Sequence, residues 1–287
     1  MRQSRRAIFG AAIILIWAAP LQAGQSATGR LTVLLSNDDG YRAPGLQALI
    51  HALEPVADVH VAAPADNQSG KGHSITIGQP IYVHDVKQPD GSVYYAIEAT
   101  PATCVRLGLT ALMTKKPDVV VSGINRGDNL GLVVYYSGTL GAAREAAFSG
   151  LPAIAVSMQG DSLKDYAAAA AYVRDLLSQL RDRHLLKPGF FLNVNVPAGR
   201  PKGVRVARLS MAMGKENYEK RYDARGRPYF WQTWQPASRV DEGSDIWEFI
   251  QGFITLTPLR LDETAPKSEL KTLQPLEQTS EAVAVGR

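Results

Sequence analysis

Val33-Leu34-Leu35-Ser36-Asn37-Asp38-Asp39-Gly40 is the stretch that decides the fold of this chain. Its first three residues are apolar and predict a short buried strand, after which the polarity changes abruptly to an amide, two adjacent carboxylates and a glycine. In an open α/β sheet, ligands bind just beyond the carboxyl ends of the strands. Two neighbouring carboxylates there repel each other and favour a positive counter-charge, which a divalent cation with oxygen ligands supplies. Taken alone, the stretch is equally typical of an ordinary turn.

The segments around this stretch predict a parallel sheet. Leu31–Ser36 is the first strand, Pro44 is well suited to begin a helix, and Asp58–Ala63 is a second strand ended by a proline. A strand, a helix and a strand in about 33 residues form a right-handed parallel βαβ unit. Further strands, a hairpin and a long amphipathic helix follow. They are predicted at 81–86 paired with 93–98, at 118–122, 152–157, 191–196 and 252–257, and the long helix at 161–186. The predicted fold class is therefore α/β, a Rossmann-like, three-layer, mostly parallel sheet.

Changes in pattern divide the chain into four parts. Residues 1–23 are expected to be a secretory signal peptide, and residues 31–200 the Rossmann-like core. From about Val204, strands alternate with aromatic, turn-rich stretches, so residues 201–264 are assigned to a β-rich C-terminal extension that completes the fold. Residues 265–287 are polar and aperiodic, and are expected to be disordered.

The N-terminus has the order of regions found in secretory signals. Three arginines precede an apolar run from Ala7 to Ala19, and a small residue, Ala23, ends the segment. A membrane anchor is the alternative, but the run is shorter than the ~20 residues of a spanning helix. Ser4–Phe9 resembles a twin-arginine signal, which predicts export in the folded state. The sequence thus predicts a periplasmic or secreted protein without a stable membrane span after processing.

Composition excludes several kinds of protein. Without the three leader arginines the net charge falls from +4 to +1, so a nucleic-acid polymer is not an expected partner. The single cysteine, Cys104, allows neither a disulfide framework nor a cysteine-rich metal site. A nucleotide-binding loop of the glycine-lysine-serine type is absent from the sequence.

Three polar segments follow strands whose carboxyl ends meet at one sheet edge. The first carries Asn37, Asp38 and Asp39, the second carries Ser69, and the third holds two amides. The amides are those of Asn125 and Asn129. Carboxylate, hydroxyl and amide oxygens suit Mg²⁺, Mn²⁺ or Ca²⁺ rather than zinc.

A candidate anion site lies next along the chain. Ser137-Gly138-Thr139 begins a helix of small residues, where free backbone N–H groups, two hydroxyls and the helix dipole favour an anion. A cation beside an anion pocket indicates a phosphate ester, whose phosphoryl oxygen the ion would polarise. The rival interpretation is a periplasmic phosphate- or nucleotide-binding protein without turnover, although adjacent carboxylates are unfavourable in a bare anion binder. A third interpretation keeps the enzyme but gives it polyphosphate or another phosphomonoester as substrate.

Four blocks of the sequence together resemble the SurE family of stationary-phase survival phosphatases. The blocks are Leu34–Tyr41, Ala63–Gly70, Ser122–Gly131 and Tyr136–Thr139, in the order and spacing of the family, and the similarity extends from about Leu31 to Leu259. The resemblance implies a metal-dependent 5′-nucleotidase, also active on 3′-nucleotides, that hydrolyses nucleoside monophosphates to nucleoside and phosphate. It also implies a homodimer or homotetramer with an exchanged C-terminal extension.

The same resemblance implies roles for individual residues. One divalent ion, with Mg²⁺ or Mn²⁺ favoured and Ca²⁺ also suitable, would be bound by four residues. They are Asp38, Asp39, Ser69 and Asn125, and the two aspartates are the implied catalytic residues. A second set would line the phosphate pocket, namely Asn37, Asn129, Ser137, Gly138 and Thr139.

The chain departs from the family pattern in three places. Ala99 and Thr103 stand where the family usually has glycine and aspartate, and Leu132-Val133-Val134 replaces a stretch that is often acidic. Both changes are expected to alter the rim of the pocket and the substrate preference. Trp247 stands where some members have histidine, so a histidine-assisted step near the C-terminus is not expected.

Overall fold

The structure is a computed structural model that describes residues 29–277. The predicted signal peptide, residues 1–23, and residues 278–287 of the predicted tail lie outside the described residues.

Residues 29–277 form eleven strands and six α-helices. The strands are β1 Leu31–Ser36, β2 Ala57–Pro64, β3 Val83–Lys87, β4 Val93–Ile97, β5 Val119–Arg126, β6 Ala153–Met158, β7 Phe191–Val196, β8 Val204–Val206, β9 Lys215–Tyr222, β10 Pro228–Gln235 and β11 Ile254–Pro258. The helices are α1 Pro44–Leu53, α2 Pro101–Leu107, α3 Gly138–Phe148, α4 Leu163–Asp182, α5 Asp245–Ile250 and α6 Lys267–Leu273.

Nine of these strands form one mixed sheet in the order β3-β4-β2-β1-β5-β6-β7-β11-β8. The centre, from β4 to β7, is parallel throughout, whereas β3 and β11 run antiparallel to their neighbours β4 and β7. The central strands are buried on both faces, as expected for a parallel sheet covered by helices. Every residue of β6 and β7 is buried.

Helices cover both faces of the sheet and produce the predicted three layers. One apolar core joins α1 and α4 to the sheet, and a second core joins α2 and α3 to the opposite face. The α4 helix shows why helices pack on the sheet. Its apolar side chains recur at helical spacing and are buried, among them Tyr166, Val173, Leu177 and Leu180. Burial of each such side chain contributes about 1.5–3 kcal/mol. The predicted fold class is confirmed.

The C-terminal part of the chain belongs to the same sheet. β11 lies between β7 and β8, while β9 and β10 form a separate antiparallel hairpin. None of the helices within residues 29–277 is long and apolar enough to cross a membrane.

The helix α6 was not predicted from the sequence. α6 lies where an aperiodic tail was expected, and none of its residues is buried. Its lysine, glutamate and leucine residues favour helix, with Glu269 in the first turn and Lys271 in the last, as the helix dipole prefers. Local helix propensity accounts for α6. Because no residue of this helix is buried, the spacing of apolar residues along the sequence could not predict it.

Candidate metal and phosphate site

Asp38 and Asp39 lie at the carboxyl end of β1, at the edge of the sheet predicted for them. Asp38 is buried, and its Oδ1 accepts a hydrogen bond from the Thr139 hydroxyl. Asp39 is half-buried, and its Oδ2 accepts a hydrogen bond of 3.1 Å from the backbone N–H of Arg126. The structure therefore joins β1, the end of β5 and the start of α3 through these two carboxylates.

Both carboxylates are held where ionisation is unfavourable. Burial raises the pKa of Asp38 to about 6, and the neighbouring Asp39 adds to the effect. Burial also raises the pKa of Asp39, although the N–H and the charge of Arg126 partly oppose it. A bound cation would favour the ionised form of both carboxylates and so offset the effects that raise their pKa values.

Asn125 and Ser69 reach the same edge from different elements. Asn125 lies within β5 rather than in a loop, beyond an irregularity in the β5–β6 register that begins at Ser122. Its Nδ2 donates to the carbonyl oxygens of Arg126 and Gly127, at 3.2 and 2.7 Å, so its Oδ1 is directed away from them. Ser69 is exposed, and the loop before it is fixed because the Gln68 N–H donates to the Asp38 carbonyl at 2.7 Å.

The donor set fits a divalent ion that prefers oxygen. Within residues 29–277 no three histidine, cysteine, aspartate or glutamate side chains gather into a metal-binding group. Any site at this edge must therefore combine the two carboxylates with neutral oxygens, as Mg²⁺, Mn²⁺ and Ca²⁺ accept. Among the described residues, the buried Oδ1 of Asn37 also has no hydrogen-bond partner, while its Nδ2 is fixed by the Gly40 carbonyl at 2.8 Å. Buried polar atoms without partners are rare, and this one is available to a bound ion or substrate.

The predicted phosphate turn is formed by the first residues of α3. Ser137 is the N-cap, and its Oγ accepts a hydrogen bond from the Leu140 N–H at 3.3 Å. A methyl group built on Gly138 would lie 2.8 Å from Cβ and 2.9 Å from Oδ2 of Asp38, so only glycine permits this approach. The Thr139 hydroxyl donates to Asp38, so in this structure it is engaged with the carboxylate.

Asn129 lies in a buried polar network behind the site. Its Nδ2 donates to Ser157 Oγ at 2.8 Å, and its N–H donates to Asn195 Oδ1 at 2.8 Å. Its carbonyl oxygen accepts from Asn193 and Asn195 at 2.8 and 3.1 Å. These contacts fix the loop after β5, and among the described residues no hydrogen bond joins Asn129 to Asp38 or Asp39.

A buried ion pair holds the loop that carries Ser69 against α3. Glu145 is only 3% exposed, and its two carboxylate oxygens accept from His73 Nε2 at 2.9 Å and from Arg106 Nε at 2.7 Å. Burial opposes ionisation of Glu145, but these two hydrogen bonds outweigh it and lower the pKa of this carboxyl. The Gly72 N–H also donates to the Tyr136 carbonyl at 3.0 Å, so the loop is fixed at two points.

Another buried carboxylate connects the C-terminal part of the chain to the loop before α3. Asp245 accepts hydrogen bonds from the backbone N–H groups of Gly131, Ser210 and Ile246, at 2.9, 2.8 and 2.9 Å. Trp247, two residues further on, is partly buried on α5. The loop leading to the phosphate turn is thus positioned by residues more than a hundred positions away.

Sequence reasoning missed most of these supporting contacts. The asparagines of the network, Asn193 and Asn195, had a visible signal, since they alternate in a strand that is otherwise apolar. The pairing of Glu145 with His73 and Arg106 had no local signal, because its members come from three segments.

Comparisons with known proteins show what the chain is similar to. Residues 33–217 match the family described as Survival protein SurE. The 5′-nucleotidase SurE of Pelotomaculum thermopropionicum is 39% identical over 237 residues, which are 82% of this chain and 91% of that protein. The 5′-nucleotidase SurE 1 of Thermus thermophilus is 41% identical over 238 residues, covering 82% and 94% of the two chains.

A solved structure shows the same fold. The crystal structure of the SurE protein from Aquifex aeolicus superposes with a TM-score of 0.74 at 37% identity, covering 86% of this chain and all of that one.

Proposed function

Because the chain belongs to the SurE family of survival proteins, we propose that it is a 5′-nucleotidase, a phosphomonoesterase that releases phosphate from nucleoside monophosphates. The observation that carries the proposal is the contact of Asp38 with the first turn of α3, which places a pair of carboxylates against an anion-binding turn. The relatives are named as enzymes, so the binding protein without turnover is not proposed.

The proposed activity depends on one divalent ion bound by Asp38, Asp39, Ser69 and Asn125. When bound, such an ion polarises a phosphoryl oxygen and lowers the pKa of a bound water. The chain itself contributes the backbone N–H groups at the start of α3, which hold the phosphoryl oxygens. Burial of Asp38 and of the turn excludes bulk water and strengthens these interactions.

The first experiment measures phosphate release from 5′-AMP and 3′-AMP, before and after chelation, with Mg²⁺, Mn²⁺ and Ca²⁺ added back separately. Loss of release on chelation and recovery with one ion is the expected result.

Asp39→Asn is expected to reduce kcat by at least about 100-fold, the loss typical of a missing electrostatic contact in the transition state. Asp182→Asn, at the exposed end of α4, is the matched control. Full activity of Asp39→Asn, or release unaffected by chelation, would contradict the proposal.

We also propose that the protein is a homodimer or homotetramer that associates through the β9–β10 hairpin. Five aromatic side chains of the hairpin are each about half exposed or more, an apolar surface typical of an interface. They are Tyr218, Tyr222, Phe230, Trp231 and Trp234. Phe230→Glu combined with Trp231→Glu is expected to lower the mass measured by light scattering. Tyr82→Glu, an exposed aromatic outside the hairpin, should leave that mass unchanged.

We propose, finally, that the protein acts outside the cytoplasm. The proposal rests on the order of charged, apolar and small residues in positions 1–23. Changing both Arg5 and Arg6 to lysine is expected to retain the protein in the cytoplasm, and fractionation of cells would measure this. Equal export of both forms would exclude the twin-arginine route.

A further inference from the structure

Four fully buried polar side chains lie side by side on the neighbouring strands β7 and β11. The strands pair antiparallel, so that Thr257 lies opposite Asn193 and the other two residues lie opposite each other. The apolar residues that alternate with the asparagines on β7 belong to the core on the α1 and α4 side. The polar side chains therefore share the other face of the sheet, which α2 and α3 cover. They are Asn193, Asn195, Thr255 and Thr257.

The amide of Asn193 has a fixed orientation that leaves its oxygen without a partner. Its Nδ2 donates to the carbonyl oxygen of Asn129 at 2.8 Å, and a rotated amide would bring two acceptors together instead. Its Oδ1 is therefore directed away from that carbonyl, and no group among the described residues donates to it. A buried acceptor of this kind requires a donor, because it has lost its hydration without replacement.

The hydroxyls of Thr255 and Thr257 lack partners as well. Neither oxygen takes part in a hydrogen bond within residues 29–277, although both are fully buried. One amide oxygen and two hydroxyls thus occupy neighbouring positions on the same face of two paired strands. Buried polar atoms without partners are rare in native proteins, and three of them together indicate a partner that they share.

A water molecule has the hydrogen-bonding groups that these three oxygens need. It can donate to Asn193 Oδ1 and to one threonine hydroxyl and accept from the other, and about three bonds are typical of buried water. The residue beside Asn193 on β6 is Ala155, whose side chain is only a methyl group. A cation would contact the same oxygens, but its burial requires a counter-charge that none of these three side chains carries. The chemistry of the site therefore favours water.

We propose that Asn193, Thr255 and Thr257 bind one ordered water molecule that links the C-terminal strand β11 to the loop after β5. The link runs from the water through the Asn193 amide to the carbonyl oxygen of Asn129. The water extends the asparagine network across the last pair of strands and stabilises the folded state. This site is separate from the metal and phosphate site, and does not depend on the proposed nucleotidase function.

The direct test is a crystal structure of the full chain at a resolution that shows ordered water, with further crystals soaked in rubidium chloride. The expected result is a density peak within roughly 2.5–3.0 Å of all three oxygens, without an anomalous rubidium signal. An empty site, or a threonine hydroxyl bonded directly to Asn193 Oδ1 in place of water, would overturn the proposal. A rubidium signal at the site would overturn it as well, because the occupant would then be a cation.

Valine substitutions give a second test in solution, since they remove a hydroxyl and keep the size of the side chain. If water satisfies the hydroxyl, Thr255→Val and Thr257→Val should each lower the melting temperature by about 2–4 °C. If the site is dry, each substitution removes an unsatisfied buried group and should raise the melting temperature.

The matched control is Thr114→Val, at an exposed position, which should change the melting temperature by no more than about 1–2 °C. Circular dichroism checks the fold of each variant and records the melting curves. An unchanged or raised melting temperature in both buried variants would contradict the proposal. If neither variant folds, the crystal structure of the unsubstituted protein still decides it.

Discussion

Asp38 is the residue at which the folded protein depends most on a counter-charge. Its carboxyl is buried beside a second carboxylate, and a single hydroxyl, that of Thr139, donates to its side chain in the described structure. Burial raises its pKa to about 6. In metal-free protein, ionised Asp38 is therefore destabilising, and a bound cation should reverse the sign of its contribution.

This pKa predicts how the stability of metal-free protein changes with pH. Because the folded-state pKa is raised, the folded state binds more protons than the unfolded state between about pH 4 and about pH 6. The contribution of Asp38 to the free energy of unfolding is therefore present below about pH 4 and is lost as the pH rises through about 6, with a magnitude of the order of 3 kcal/mol. Asp38→Asn should remove this pH dependence. Urea unfolding in chelator across this range, compared between the two proteins, measures the difference.

The control for this prediction is the divalent ion. Adding it should stabilise the native protein more at pH 7 than at pH 5, because the ion displaces the proton from Asp38. Asp38→Asn should show little of this trend. A free-energy difference between the two metal-free proteins that does not change with pH would contradict the raised pKa.

At the scale of elements, the close approach of α3 to β1 sets the geometry of the site. Gly138→Ala places a methyl group 2.8 Å from Asp38 Cβ and 3.1 Å from Pro101 Cγ. The helix must move away from the carboxylates, so kcat/KM for 5′-AMP should fall by about 100-fold, as displacements near 1 Å can produce. Gly189→Ala is the control, since its methyl group meets open space but its φ of +83° costs stability. It should lower the melting temperature and leave kcat/KM unchanged.

Glu145 makes a separate prediction about the loop that carries Ser69. Glu145→Gln removes the charge that both His73 and Arg106 contact, so the free energy of unfolding should fall by about 1–3 kcal/mol. Because its pKa is lowered, this stabilisation is present above the usual glutamate pKa and disappears as the pH falls through the lowered value. Glu98→Gln breaks an exposed histidine–glutamate pair of similar length and should cost less than about 1 kcal/mol. Equal losses in the two variants would show that the buried pair does not support the loop.

The sequence predicted elements better than the contacts between them. β7 was predicted at its observed bounds, because its apolar residues begin at Phe191 and end at Val196, and Pro197 comes directly after it. β5 is longer than predicted, since Gly123 and Asn125 after its apolar run do not favour a strand. The positions of Asp38 and Gly138 at one sheet edge followed from parallel topology alone. Their direct contact depends on the packing of α3, which no local pattern encodes.

On the scale of the whole molecule, the C-terminal part of the chain is structurally inseparable from the core. The change of pattern near Val204 assigned residues 201–264 to an extension that completes the fold, and hydrogen bonds join this extension to the core. β11 pairs with β7 from Thr255–Asn195 to Pro258–Leu192, and Asp245 fixes the loop before the phosphate turn. A composition change thus marks a change of local pattern and not the edge of a folding unit.

Two truncations test this interpretation. A chain of residues 24–200 would leave β7, a strand buried along its whole length, as an exposed sheet edge and would lose the Asp245 contacts, so it should not unfold cooperatively and should aggregate. A chain of residues 24–264 loses only α6 and the residues flanking it, and no residue of α6 is buried. Its free energy of unfolding should therefore lie within about 1 kcal/mol of that of residues 24–287. Urea titrations monitored by circular dichroism measure all three chains. A cooperative transition in residues 24–200 would show that the core folds alone, and that β11 is added to a sheet already stable without it.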